Sequence, residues 1–184
     1  MGLSRREDEV LRRVSFVVFS WVVTVGFGAV GVGVLASLMY SVDGDRIAVA
    51  GSCLLTVAVG RRIMGSRVVL GPSALTVVNP LVTYTVPYGS IAEIRGGGGA
   101  TLNLVTGTGE EIYCTGFGGS VIDAFVRSAD RAAERIERRL GRGRRRGNVK
   151  SSAAVTKRLT MAWIADVCGI GAVACAITAG VVGV

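Results

Sequence analysis

Residues 14–40 run for 27 positions without a charged side chain, between Arg13 and Asp43. About 20 apolar residues cross a bilayer core as a helix, so this run is long enough even when tilted. A cleaved signal peptide is the rival reading, because paired arginines precede the run. The apolar region of such a peptide is normally only about 7–15 residues, and the length here predicts a retained helix. A second uncharged run, 47–60, has 14 residues. Taken alone, that length suits a buried core helix or a re-entrant segment. Only the short 41–46 loop separates it from the first run, and Arg46 and Arg61 could snorkel at its ends, so a second span is expected. The third run, 159–184, contains a single charge, Asp166, and 167–184 is entirely apolar or small. It reads as a third span.

The basic residues orient these spans. The chain has 21 Lys and Arg against 13 Asp and Glu, a net charge of +8. Of the basic residues only Arg46 falls in the 41–46 loop; the others lie in the N-terminal tail or in 61–158. Segments that stay in the cytoplasm are rich in Lys and Arg. The expectation is a multi-pass protein of the cytoplasmic (inner) membrane, with its N-terminus inside, 41–46 outside, 61–158 inside and its C-terminus outside.

Between the second and third runs the pattern changes to the two-residue period of half-buried strands. Six short strands are expected: 67–70, one around Leu75 and Val77, one carrying Val82, Tyr84 and Val86, one from Ile91 to Ile94, one around Leu102 and Leu104, and one over 111–114. Gly71-Pro72-Ser73, Asn79-Pro80, 87–90, the 96–99 glycines and 106–109 punctuate them. A helix follows. Ser120 is the expected N-cap with Asp123 in a box-like position. Ile122, Phe125, Ala129, Ala132, Ala133, Ile136 and Leu140 share one face, Glu134 and Arg138 form an i,i+4 pair, and Gly141 is the expected stop.

Three segments of this region resemble bacterial pleckstrin-homology (PH) domains of the low-molecular-weight antigen 6 type. They are Arg67-Val-Val-Leu-Gly-Pro-Ser-Ala-Leu-Thr-Val77, Asn79-Pro80-Leu81, and Thr85-Val-Pro-Tyr-Gly-Ser-Ile-Ala-Glu-Ile94. Tyr88 stands where the family pattern has Trp, and six strands are counted where a PH domain has seven. The resemblance covers about residues 62–140. It implies a module commonly tethered to membrane helices, with a binding or scaffolding role and no reaction.

The candidate sites each have a plainer counterpart. Gly26, Gly28 and Gly31 spell G-x-G-x-x-G, but inside an apolar run rather than between strand and helix, which argues against a dinucleotide site. Ala29, Gly33 and Ser37 repeat every four residues, as do Ala172, Ala176 and Gly180, and also Gly171, Cys175, Ala179 and Gly183. Such ridges let another helix approach closely, and the alternative is small residues facing lipid. Cys53, Cys114, Cys168 and Cys175 have no C-x-x-C spacing and the chain has no His, so no metal site or cofactor is expected. Asp166 is an intramembrane acid and so a functional candidate; pairing with Arg61, Arg62 or Lys157 is the structural alternative. Arg135, Arg138, Arg139, Arg142, Arg144, Arg145, Arg146 and Lys150 form a basic run close to a span. Aromatic residues are absent from it, which favours anionic phospholipid headgroups over nucleic acid. The glycines of 116–119 precede a helix start, which can bind anions, but read as a loop turn rather than a P-loop, because no Lys-Ser/Thr follows. Glu93, Glu110, Glu111 and Asp123 form no acid–base set.

The expected architecture is therefore three transmembrane helices plus a small all-β or α+β module, a PH-like antiparallel barrel or sandwich capped by a C-terminal helix. The divisions are a basic tail at 1–13, a helical hairpin at 14–60, the PH-like domain at 61–141, an Arg/Gly-rich linker at 142–158 and the last span at 159–184. The expected role is to present the module to a protein partner or an anionic lipid surface without catalysis. The alternative is a small accessory subunit of a membrane complex, or a homo-oligomer, in which the helices are the working part.

Overall fold

The computed structural model describes residues 8–40, 42–97, 100–118, 128–145 and 154–183. They fall into two compact units, one made of the apolar helices and one of the strands with a helix. The expected 122 and 125 positions of the helix face, Ser120, Asp123, Arg146 and Lys150 lie outside the described residues.

The helical unit comprises α1 (Val14–Ser37), α2 (Gly44–Met64) and, after the strand unit, α4 (Trp163–Val182). Among the described residues these three are long and apolar enough to cross a membrane. The second was the short one in sequence. The helix overruns the uncharged stretch at both ends and takes in Asp45, Arg46, Arg61 and Arg62. At 1.5 Å per residue its 21 residues reach about 31 Å, close to a hydrocarbon core of about 30 Å. Asp43 caps its start, accepting from the Asp45 N–H at 3.1 Å. Helix α2 packs against both α1 and α4, antiparallel to each: Gly31 meets Cys53, Gly60 meets Val23, Gly51 meets Cys175 and Gly44 meets Gly183. Hydroxyls inside the helices turn back onto their own backbone. Thr24 donates to the Ser20 carbonyl at 2.6 Å, and Ser52, Thr56 and Thr178 each bond four residues back. Where no water competes, that is how a polar side chain is satisfied.

The strand unit has two antiparallel sheets. The first, in the order β1 (Glu9–Leu11), β2 (Arg67–Leu70), β3 (Ala74–Val78), β4 (Val82–Pro87), β8 (Thr156–Leu159), has five strands. The second is β5 (Ile91–Gly97), β6 (Ala100–Thr106), β7 (Glu111–Tyr113). Helix α3 (Ser128–Arg145) completes the unit. All six expected strands are present. Two more, β1 and β8, flank the first sheet. β1 comes from the expected tail, and β8 from the end of the expected linker plus Leu159, which was expected to open the last span, whose helix instead starts at Trp163. The sheets do not close into a barrel. Helix α3 also runs on through Gly141 and Gly143 to Arg145 rather than stopping at Gly141. A glycine weakens a helix by only about 1 kcal/mol, and no left-handed cap is formed there to end it.

The alternation read in the sequence is the alternation seen in space. Val68, Leu70, Leu75, Val77 and Val86 of the first sheet face Leu102, Leu104 and Ile112 of the second, and Ile136 and Ala132 of α3 join them. Each fully buried Val or Leu contributes about 1.5–3 kcal/mol relative to exposure. Tyr88, in the turn between β4 and β5, is buried, and its hydroxyl donates to the Gly71 carbonyl at 2.9 Å, tying that turn to the β2–β3 turn. Burial raises its pKa above the ordinary phenol value. Cys114 is fully enclosed, and burial pushes its thiol up to about 12.

Asn79 joins the two sheets. Its side-chain amide donates to the Tyr113 carbonyl at 2.7 Å and its side-chain oxygen accepts from the Thr115 N–H at 3.0 Å. Its own carbonyl accepts from the Thr160 hydroxyl at 2.8 Å. Replacing Asn79 by Ala strands two backbone groups, and a loss of about 1–3 kcal/mol is expected, read as a lower thermal unfolding midpoint of the full chain in detergent. Cys114 should stay unlabelled by maleimide at neutral pH until the strand unit unfolds. Because its folded pKa is raised, its protonated state stabilises the fold fully below the unfolded value near 9, and that contribution fades as pH climbs towards about 12. A Cys114→Ala variant should show a flatter stability profile across this alkaline window.

Candidate functional site

Adjacent arginines near the end of α2 reach to opposite neighbours. Arg61 lies over the Trp21 ring, 4.8 Å from its centroid, and donates to the Ser20 hydroxyl of α1 at 3.4 Å. Arg62 turns the other way and forms an ion pair with Asp166 of α4. Successive helix positions differ by about 100°, so neighbouring residues can serve two flanking helices. The second oxygen of Asp166 accepts from the Ala162 N–H at 3.3 Å, closing the first turn of α4. Asp166 is thus engaged by a cation and by the start of its own helix, the structural alternative to a proton-carrying acid. The Arg62–Asp166 pair is about one-third exposed, at 30% and 35%. It stands at the mouth of an apolar cleft of about 590 Å³ between α2 and α4, lined by Leu55, Val59, Ala165, Ile170 and Val173.

The small-residue ridges are distributed unevenly. On α4 the side towards α2 carries Ala165, Ala172, Cys175 and Ala179. A methyl placed on Gly51 would come within 2.9 Å of the Cys175 Cβ and 3.4 Å of the Ala172 carbonyl. Ala176 is exposed at the rim of this seam, its backbone N 3.9 Å from the same point. Gly180 has open space around it. On α1 the buried positions are Ser20 and Gly31, whereas Ala29 and Gly33 face outward and Ser37 is half-buried. Ser37 donates back to the Val34 carbonyl at 2.7 Å, and its own carbonyl accepts from Arg46 at 3.3 Å. Gly31, the last glycine of the G-x-G-x-x-G text, packs on Cys53, a helix contact and not a strand–helix turn.

The basic run is partly tied down. Arg135 and Arg139 both reach Glu9 of β1, at 2.9 and 3.7 Å, and Arg138 pairs with Glu134 at 3.2 Å. These pairs are largely exposed, a setting in which each contributes about 0–1 kcal/mol. Arg142, Arg144 and Arg145 continue the helix. Lys157 of β8, expected beside the span, pairs with Glu110 at 2.7 Å, and this hydrogen bond raises its pKa. Among the described acids considered for chemistry, Glu93 and Glu111 are held in the same way: Arg95 bridges them at 3.0 and 2.9 Å. Among the described residues no three His, Cys, Asp or Glu gather as a metal site, and all four cysteines are free thiols. A methyl on Gly116 would come within 2.9 Å of the Ser66 carbonyl, so that glycine permits a close chain crossing.

Sequence reasoning passed over Trp21 and Glu9, and named Asn79 as a strand break and part of the PH-like text without its bonding role. A Trp eight residues into an apolar run was a signal, because Trp favours the interfacial level of a bilayer. Glu9 carried none, since its partners lie more than a hundred residues away. Comparison of the chain with protein-family models, with curated proteins and with solved structures finds no match.

Gly51→Leu is expected to force α2 and α4 apart at a cost of about 1–3 kcal/mol. Gly33→Leu, with nothing within 4 Å, should change the fold by less than about 0.5 kcal/mol. Thermal unfolding of the two variants in the same detergent compares them directly.

Proposed function

We propose that the chain is an integral protein of the cytoplasmic membrane that holds a PH-like binding module on the inner face, for a protein partner or an anionic lipid surface, without catalysing a reaction. The observation that carries this reading is the covalent layout. A unit of eight described strands, seven before its helix and one after, is joined to three apolar helices by connections of two, two and three residues. Seven strands before the helix is also the count that the resemblance to antigen 6-type PH domains calls for, once β1 is included. A module tethered three times is held in place at the membrane, which suits presentation to a partner.

The candidate lipid contacts are Arg135, Arg138, Arg139, Arg142, Arg144, Arg145 and Arg146, of which the first three also pair with carboxylates. At about 1 kcal/mol per basic residue near an anionic surface, changing Arg142, Arg144 and Arg145 together to Gln should cost up to about 3 kcal/mol of lipid attraction. The check is co-purification of phosphatidylglycerol with the full chain. Equal retention by wild type and variant removes the lipid surface from the reading and leaves the protein partner. A reporter fused to the C-terminus should score extracytoplasmic; a cytoplasmic score would refute the topology.

A second reading, in which the helices work as an accessory subunit or a homo-oligomer, is favoured by the outward-facing Ala29 and Gly33 of α1. It requires that Gly33→Leu abolish assembly while leaving the fold intact.

A further inference from the structure

One end of the five-stranded sheet gathers every connection to the apolar helices. The register sets Leu11 opposite Val68, Arg67 opposite Val78, Val78 opposite Thr83 and Val82 opposite Leu159. The end of β1, the start of β2, the end of β3, the start of β4 and the end of β8 therefore share one edge of the unit. Three of these termini run into α1, α2 and α4. The remaining two are joined to each other by the Asn79-Pro80-Leu81 turn.

That turn exposes a leucine. Leu81 is 63% exposed, and Leu159, at the end of the neighbouring strand, is 84% exposed. A single exposed leucine is unremarkable in water. Two at the end of a sheet that leads into apolar helices are a different matter, because the turn is pinned there. The Thr160 N–H donates to the Leu81 carbonyl at 2.9 Å, and the Thr160 hydroxyl bonds both the Asn79 carbonyl and the Thr83 hydroxyl at 2.8 Å. Two residues separate Thr160 from Trp163, the first of α4. At no more than about 3.6 Å per residue, Thr160 lies within about 11 Å of the start of that helix. The headgroup layer on each side of a bilayer is about 5–8 Å thick. Arg158, exposed and opposite Thr83, supplies a cation at the same end of the sheet, where an anionic surface would attract it.

We propose that the Asn79-Pro80-Leu81 turn is a membrane-contact element: Leu81, with Leu159 at the end of the adjacent strand, sits in the headgroup layer of the bilayer that α4 enters, and Arg158 meets anionic lipid phosphate there. The inference rests on the reading of the apolar helices as spans. It gives the turn a role distinct from that of the basic run on α3.

The test places a photoreactive leucine analogue at position 81, 73 or 173 of the full chain, reconstituted in vesicles of phosphatidylethanolamine and phosphatidylglycerol. Ser73 is exposed at the opposite end of the same sheet, and Val173 of α4, which borders the open cleft beside α2, is 60% exposed. After illumination, mass spectrometry should find lipid adducts at 81 and 173 and only background at 73. Adducts at 173 with none at 81, or equal labelling at 81 and 73, overturn the membrane contact and leave the spans standing. Protein adducts in place of lipid at 81 overturn it in favour of a docking role. The lack of lipid adducts at 173 overturns the spans and this inference together.

Discussion

Apolar surface that the chain cannot bury against itself governs this structure. Val18, Phe19, Val22 and Val25 of α1 and Ile170, Val173, Ile177 and Val181 of α4 stay more than half exposed although α2 packs against both helices. In water such a surface would drive association, because patches beyond a few hundred Å² are rarely left open. Three helices of this length and composition fit a bilayer, where such a surface carries no penalty, and the other features of the helices suit that setting. Backbone bonds close within each helix, hydroxyls return to their own helix, and two arginines near one end find a ring, a hydroxyl and a carboxylate.

The strand unit is built on the opposite rule. Its leucines and valines are hidden between two sheets and a helix, and its charges pair on the outside. Beside this apolar core, a polar residue also ties the sheets together. Asn79 uses both ends of its amide on the β7 side and its carbonyl on the β8 side, so one turn fastens the second sheet and the last strand to the first sheet. The same turn is the Asn-Pro step that sequence reading took only as a strand breaker. Its structural work is to satisfy backbone groups at a sheet end, where unpaired N–H and C=O would otherwise be costly.

The legible parts of the chain were those with a strong period. Six strands could be read from alternating side chains, and in β2, β3 and β7 the burial alternates in the same way: Leu75 and Val77 inside, Thr76 between them. The first and third apolar helices could be read from length, and the second from its short run together with the neighbouring span and the flanking arginines. β1 and β8 could not. Glu9-Val10-Leu11 is too short for a period to show, and all four residues of β8 are exposed. Both are strands because a distant edge offers hydrogen bonds, Leu70 for Glu9 and Val82 for Leu159. The candidate sites divide in the same way. The basic run was visible as composition, but Glu9 neutralises part of it across the fold. The small-residue ridges were visible as spacing, but whether a ridge faces a helix depends on how each helix is rotated, which Gly51 against Cys175 sets for α4.

By itself the sequence determined where the chain is apolar for about 20 residues, where it alternates and where it is basic. These are local properties, written in consecutive side chains, and they establish the division into helices and sheets. Tertiary structure decided which of the three offered cations holds Asp166, namely Arg62, and it alone decided Glu9 with Arg135 and Arg139, and β8 on the edge of β4. It also decided that the termini leading to the helices, together with the Asn79 turn, share one end of a sheet. The physical reason is that pairing energies at a sheet edge or a helix face depend on distance in space. Residues far apart along the chain carry no mark of it.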